Sequence, residues 1–220
     1  MRLPELIRDL QASPDFGPNF THWRTMPAQP ARFGEFPAEL NPALRAALEA
    51  TGIERPYTHQ AEAIGAALRG QSVTVVTPTA SGKTLCYNVP VIQSVLADLS
   101  ARALYLFPTK ALAQDQLANL HALIERANVD IKTFTYDGDT SPAARRAVKA
   151  AGHIVVTNPD MLHSGILPHH TKWVKLFENL RYVVIDEMHM YRGVFGSHVA
   201  NVMRRLRRIC NFYGSDPQFI

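Results

Sequence analysis

Cysteine is scarce in this chain: there are two, Cys86 and Cys210, far apart and in no CxxC arrangement. That excludes a disulfide framework and a cysteine zinc site, and a reducing cytoplasm is the simplest compartment. No apolar run approaches the roughly eighteen residues of a membrane span, so no membrane partner is expected. The opening MRLPELIRDL carries Glu5 and Asp9 where an export signal would have an apolar centre. Carboxylates are missing from one long stretch. Between Met188 and Ser215 there are five arginines (Arg192, Arg204, Arg205, Arg207, Arg208) and no Asp or Glu. Internal repeats and low-complexity tracts are absent as well.

What is present is enough apolar material for one sizeable core: 46% of 220 residues. The net charge of +4 suits a polyanion partner without requiring one. Residues 1–38 hold six of the fifteen prolines and no long helical period, which predicts a short helix and an extended arm lying on a domain that starts at residue 39. Asn41-Pro42 opens a helix through Ala50, ended by Thr51-Gly52. Thr58 has the chemistry of an N-cap for a second helix, closed by Gly70.

Beyond Gly70 the pattern alternates. Ser72–Thr77 (SVTVVT) is β-branched and apolar, as expected of a buried parallel strand. Further strands are predicted at Ala103–Phe107, Ile131–Tyr136, His153–Thr157 and Arg181–Ile185, with helices at 83–97, 110–126, 141–150 and 195–212 between and after them. This predicts an α/β fold, a mostly parallel sheet with helices on both faces. Ligands of such sheets sit at the carboxyl ends of the strands.

Two segments at those ends carry chemistry. TPTASGKT (77–84) follows a predicted strand and opens a helix, the setting of a phosphate-binding P-loop. Its candidate phosphate contacts are Thr79, Ala80, Ser81, Gly82, Lys83 and Thr84: backbone N–H groups wrap the oxygens, Lys83 reaches the β- and γ-phosphates, and the Thr84 hydroxyl binds Mg²⁺. Thr77 replaces the first glycine of the strict pattern. The second segment is an apolar strand that ends in Asp186-Glu187-Met188-His189. Asp186 is suited to hold Mg²⁺, Glu187 to act as general base on the attacking water, and His189 to sense the γ-phosphate.

Together these segments resemble motifs I and II of the superfamily-two helicases of DExH type, in which Thr at the first P-loop position is ordinary. PYTHQ (56–60) is similar to the Q-motif, which implies that Gln60, with Tyr57 one turn earlier, meets adenine. PTKALAQ (108–114) resembles motif Ia and TNPD (157–160) motif Ib. Coverage runs from about residue 35 to the end. YDGDTS (136–141), TNPDMLHSGILPHH (157–170) and YRGVFGSHVANVMRRLRRI (191–209) look like the bacterial DNA-repair helicases of the MrfA/YprA type. The resemblance implies a RecA-like P-loop NTPase domain and ATP with Mg²⁺ as cofactors. It also implies coupling of ATP hydrolysis to translocation on single-stranded nucleic acid, with DNA favoured. Motif III (Ser-Ala-Thr) and motifs IV to VI do not occur in these residues. The expectation is therefore a first motor domain that binds nucleotide but does not unwind, with a second RecA-like domain of the same protein as its partner.

In the resembling helicases motifs Ia and Ib touch the backbone of the tracking strand. Carried over, that nominates Thr109, Lys110, Gln114, Thr157 and Asp160, with Thr140 in the GDT segment and Arg192 in a glycine-flanked loop as further candidates. Asp160 is equally suited to cap its own helix. Arg145, Arg146 and the cluster at 204–208 read as solvated helix charges. His163, His169 and His170 lack the companions of a metal site, and Cys86 reads as a small core residue. Other functions stay open here. An RNA motor domain would carry the same motifs, and a P-loop small-molecule kinase would share the loop but need a lid and an acceptor pocket. A third reading is a module that holds nucleotide with almost no turnover.

Overall fold

In the computed structural model, which describes every residue except Met1, Ala28, Gln29, Thr79 and Ala80, the chain divides into two compact units, Met1–Ala31 and Arg32–Ile220. The first contains helix α1 (Leu3–Ala12), with Pro4 in its first turn and no buried side chain, and a short 3-10 turn at Gly17–Asn19. The second carries the sheet. Residues 32–38 belong to it: Phe33 bridges Tyr57, Gly34 N–H donates to Pro56 O at 2.8 Å, and Phe36 is buried.

Helix α2 (Pro42–Ala50) starts where expected, with the Asn41 side chain accepting from Ala43 N–H. Helix α3 (Thr58–Leu68) starts one residue earlier than the capping chemistry of Thr58 suggests. Tyr57 is the N-cap and Thr58 the first helical residue. The free N–H of Tyr57 goes to the Gln60 side chain at 2.8 Å, so the reciprocal half of a capping box fixes the boundary. Gly70, at φ +85°, closes the turn after it.

After α4 (Thr84–Ala97) come strand β1 (Arg102–Leu106), helix α5 (Lys110–Arg126), β2 (Thr133–Thr135), α6 (Pro142–Ala151), β3 (Ile154–Thr157) and a single turn α7 (Pro159–Met161). A run of π- and 3-10-helical turns then leads to α8 (Val174–Glu178), β4 (Leu180–Ile185), the long helix α9 (Gly193–Tyr213) and β5 (Gln218–Phe219). The strand order is β2-β3-β1-β4-β5, with every pairing parallel. Alternate residues serve two cores. Ala103, Tyr105, Ile154, Val156, Tyr182 and Val184 pack with α2 to α5. Leu104, Leu106, Val155 and Val183 pack with α6, α8 and α9. Helices thus cover both faces, as the apolar strands require. Each fully buried leucine or phenylalanine contributes about 1.5–3 kcal/mol, and truncating Leu104 or Leu106 to alanine would cost about 2–5 kcal/mol.

One strand expectation fails. Ser72–Thr77 is not a strand of the sheet. Val73 N–H donates to Phe219 O at 2.9 Å, and Val76 is 89% exposed. Among the described residues its backbone joins the sheet through this one hydrogen bond, so no ladder forms.

Candidate functional site

The carboxyl ends of the central strands lie level, with Leu106 of β1 beside Thr157 of β3 and Ile185 of β4. The segments that follow, 107–110, 158–160 and 186–189, therefore emerge at one edge of the sheet, and the start of α4 faces the same edge.

Lys83 is the N-cap of α4 and Thr84 its first residue. Gly82 has φ +74°. An added Cβ there would meet Gln60 Nε2 at 2.5 Å. That close approach has a cause: the Gln60 Nε2 amide donates to Gly82 O at 2.9 Å while its Oε1 accepts from Tyr57 N–H. Ser81 O lies 3.1 Å from His59 Nε2, and the hydroxyls of Thr77 and Ser81 are 2.6 Å apart. Lys83 Nζ donates to the carbonyls of Thr77 at 3.1 Å and Pro78 at 3.2 Å. Among the described residues, Ser81, Gly82 and Lys83 thus find polar partners within the loop and on α3. Thr79 and Ala80, nominated for phosphate, lie outside the described residues.

A cavity of about 560 Å³ opens between the 72–78 segment and the end of β4, within the roughly 300–1,000 Å³ of small-molecule sites. Lys83, Cys86, Tyr87, Asp186, Glu187 and His189 line it. Glu187 adopts φ +51°, a left-handed conformation that costs a non-glycine residue roughly 1–2 kcal/mol. Its N–H donates to Asp186 Oδ1 at 2.8 Å, and its Oε2 lies 3.1 Å from His189 Nδ1. The three polar residues of the acidic strand end are thereby held as one group.

Behind them is a polar node that the motifs do not announce. Thr84 Oγ1 donates to Gln116 Oε1 at 3.0 Å, and the Tyr87 hydroxyl lies 3.4 Å from that same oxygen and 3.2 Å from Asp186 Oδ2. Burial, reinforced by the Asp186 charge, pushes the Tyr87 hydroxyl far above its usual range. Burial also raises the Cys86 thiol to about 11, which agrees with a core residue. Tyr57 and Gln60 do not line the cavity. Tyr57 stacks on Phe33 with ring centroids 5.3 Å apart, and no spacing rule in the sequence points to Phe33.

A second cavity, of about 210 Å³, gathers Thr109, Lys110, Gln114, Thr140 and Thr157, together with Asp137, Asp139 and Asn158. Five of the residues nominated for nucleic acid therefore share one site; Asp160 and Arg192 do not line it. Several of the five already have partners. Thr109 Oγ1 caps α5 by accepting from Leu112 N–H at 3.3 Å. Lys110 is paired with Asp139, and their hydrogen bond, reinforced by the opposite charges, raises the lysine pKa and lowers that of the carboxyl. Thr140 Oγ1 accepts from Asp137 N–H at 2.9 Å. Thr157 is 4% exposed and gives its hydroxyl proton to Tyr136 O at 2.6 Å, so it supports the cavity floor rather than offering a hydroxyl donor.

Two local readings are corrected here. Asp160 does not cap its helix, because the Asn158 side chain accepts from Met161 N–H at 2.8 Å. Asp160 is exposed, 3.8 Å from His198 Nε2. Arg145 is not a solvated charge. Its guanidinium donates to Thr140 O at 2.8 Å and Asp137 O at 3.1 Å, and it lies over the Tyr136 ring. It clamps the 137–140 turn at the cavity rim. Arg204, Arg207 and Arg208 are exposed while Val199, Val202, Leu206 and Cys210 face inward. Among the described residues no helix is long and apolar enough to cross a membrane.

Comparison with known proteins meets this geometry from outside. The ATP-dependent helicase YprA of Bacillus subtilis is 60% identical over 218 residues, 99% of this chain and 29% of its own length. The ATP-dependent helicase HRQ1 of Saccharomyces cerevisiae is 40% identical over 226 residues, 99% of this chain and 20% of its own. A crystal structure of the DUF1998 helicase MrfA bound to DNA and AMPPNP superposes with a TM-score of 0.93 at 60% identity, covering 100% of this chain and 30% of that one. The chain thus spans less than a third of the length of these relatives. The pattern of the DEAD/DEAH box helicases matches residues 57–219, and with the RecA-like sheet and the loop facing an acidic strand end, the chain belongs to that family of ATP-dependent enzymes.

Proposed function

We propose that these residues form the ATP-hydrolysing first motor domain of a DNA helicase, working on single-stranded DNA with a second RecA-like domain of the same protein. The observation that carries it is the cavity where Lys83 faces Asp186 and Glu187 across the carboxyl edge of the sheet. Residues 79–84 would cradle the phosphates, with Lys83 reaching the β- and γ-oxygens from its present place on the loop carbonyls. Gln60 keeps one amide donor and one acceptor lone pair beyond those it uses, the pair needed to meet adenine, and Tyr57 with Phe33 offers a stacking face. Thr84 and Asp186 would hold Mg²⁺. Both are hard oxygen donors, and the polar node joins them, which suits that cation. When bound, the cation neutralises phosphate charge. Glu187 takes the proton from the attacking water, and His189, beside it, orients the carboxylate and reports on the γ-phosphate.

DNA is proposed because the similar MrfA structure holds DNA, and because five residues of motifs Ia, Ib and the GDT turn share the second cavity. Asp160 and Arg192 would extend that path. The arm expected over residues 1–38 is proposed to be shorter, residues 1–31, with 32–220 as the motor domain, because residues 32–38 pack with the sheet unit. Two buried, isolated cysteines are consistent with a cytoplasmic setting. The test is steady-state ATPase in the full-length protein with and without single-stranded DNA. Stimulation by DNA supports the motor. Turnover raised by a small metabolite and not by DNA would overturn it in favour of a kinase.

A further inference from the structure

We propose that Gln116 is a positioning residue of the cation site, holding the Thr84 hydroxyl in the orientation that a metal ligand needs. The proposal rests on the ATP and Mg²⁺ reading of Thr84 and Asp186. A threonine hydroxyl has one proton and two lone pairs. To ligate a cation it must turn a lone pair toward the metal, and its proton then needs an acceptor on the other side. In this structure that acceptor exists: Gln116 Oε1 takes the Thr84 proton at 3.0 Å. Gln116 is half-buried on α5, 32 residues from Thr84 in sequence, outside the loop and outside the acidic segment.

The neighbouring groups agree with this role. Tyr87 also carries one proton and has two acceptors in reach, Asp186 Oδ2 at 3.2 Å and Gln116 Oε1 at 3.4 Å. The carboxylate is the nearer and the charged one, so it takes the tyrosine proton. The Gln116 oxygen is left for Thr84. Each candidate ligand thus has a side-chain partner: Gln116 for Thr84, and Tyr87 for Asp186, whose other oxygen takes the Glu187 N–H. A cation on Thr84 would make its hydroxyl a stronger donor, so losing Gln116 weakens the metal-bound state more than the metal-free one. Without metal, the partly exposed Thr84 hydroxyl can turn to water instead.

The experiment is a titration of Mg²⁺ into the full-length protein with a fluorescent ADP analogue, against the same binding in EDTA. Gln116→Leu removes the acceptor at similar size, and Gln116→Glu restores one. Gln116→Ala repeats the deletion should the leucine variant fail to fold. We expect affinity in EDTA to be unchanged in all three. The Mg²⁺ concentration for half-maximal enhancement should rise about fivefold in Gln116→Leu, on the order of one hydrogen bond, and stay near wild type in Gln116→Glu. A wild-type Mg²⁺ response in Gln116→Leu and Gln116→Ala overturns the proposal. So does an equal loss of affinity in EDTA and in Mg²⁺, which marks a merely structural residue. Thr84→Val separates the two levels. If it retains the wild-type Mg²⁺ response, Thr84 is no ligand and the underlying reading falls. If it loses that response while Gln116→Leu keeps it, only the role of Gln116 falls.

Discussion

Gln60 of α3 holds the carbonyl oxygen of Gly82 at 2.9 Å, tying the segment thought to read the base to the loop thought to bind phosphate. The amide is buried and its other half caps the helix at Tyr57. Gln60→Ala would strand two polar groups and should cost about 1–3 kcal/mol of stability, measured by denaturant unfolding. The same variant should lose the preference for ATP over GTP, since the remaining donor and acceptor of the amide match adenine and not guanine. Equal affinities for ATP and GTP in the wild type would remove Gln60 from the base site.

Gly82→Ala tests the other partner. The backbone there has φ +74° and a Cβ would lie 2.5 Å from Gln60 Nε2. Strain alone should take roughly 1–2 kcal/mol, and the displaced Gln60 adds to it. Both stability and nucleotide affinity should fall, and the alanine variant should resemble Gln60→Ala in its base selectivity.

Lys83→Ala should behave differently, because the lysine is bound to loop carbonyls near the surface and not to a buried charge. Unfolding free energy should change by about 0.5 kcal/mol or less. The rise in melting temperature on adding ADP should vanish. Undiminished ADP stabilisation in this variant would move the phosphate site elsewhere.

How far the sequence speaks depends on the range of the interaction. Strands β1, β3 and β4 are legible because both faces are buried, so their apolar runs are continuous, and the starts of α2 and α5 follow from the capping side chains of Asn41 and Thr109. Ser72–Thr77 has the same composition as a buried strand, yet its backbone bond to the sheet goes to Phe219, a partner that nothing local announces. The P-loop and the acidic pair are visible as motifs. Gln116, Phe33 and Arg145 are not, since each acts on a group that only the fold brings near. Arg145 reads as a helix-surface charge because nothing local shows that the 137–140 carbonyls turn back over α6.

The pairing of Lys110 with Asp139 predicts a gain of function. Both side chains are exposed, so the pair adds little to stability, but it occupies the cation nominated for phosphate. Asp139→Asn should tighten single-stranded DNA binding at low salt and steepen its salt dependence by about one phosphate contact. The sign with pH follows from the lowered Asp139 pKa. Above it the carboxylate holds Lys110. As pH falls through it, protonation releases the lysine, and wild type and Asp139→Asn should converge. Fluorescence anisotropy across salt and pH checks both. Weaker binding by the asparagine variant would assign Asp139 a role in ordering the site.

The last prediction concerns Glu187, held at φ +51° beside Asp186 and His189. Strain at a non-glycine residue persists where its neighbours over-determine it, and here Asp186 Oδ1 accepts the Glu187 N–H. Glu187→Gln keeps the size and the backbone but loses basicity, so ATP and DNA binding should survive while turnover falls by about 10²-fold or more. The variant should accumulate the ATP-bound, strand-bound state. The proposed second domain enters the same measurement. If it supplies arginines to the γ-phosphate, residues 1–220 alone should bind nucleotide weakly and hydrolyse it far below the full-length rate, since an arginine in trans can be worth roughly 10³–10⁵. Steady-state ATPase with single-stranded DNA should be run on the 220 residues, the full-length protein and full-length Glu187→Gln. A Gln variant with unimpaired turnover would free Glu187 from the role of base, and 220 residues as active as the full chain would mean that catalysis is complete within this one domain.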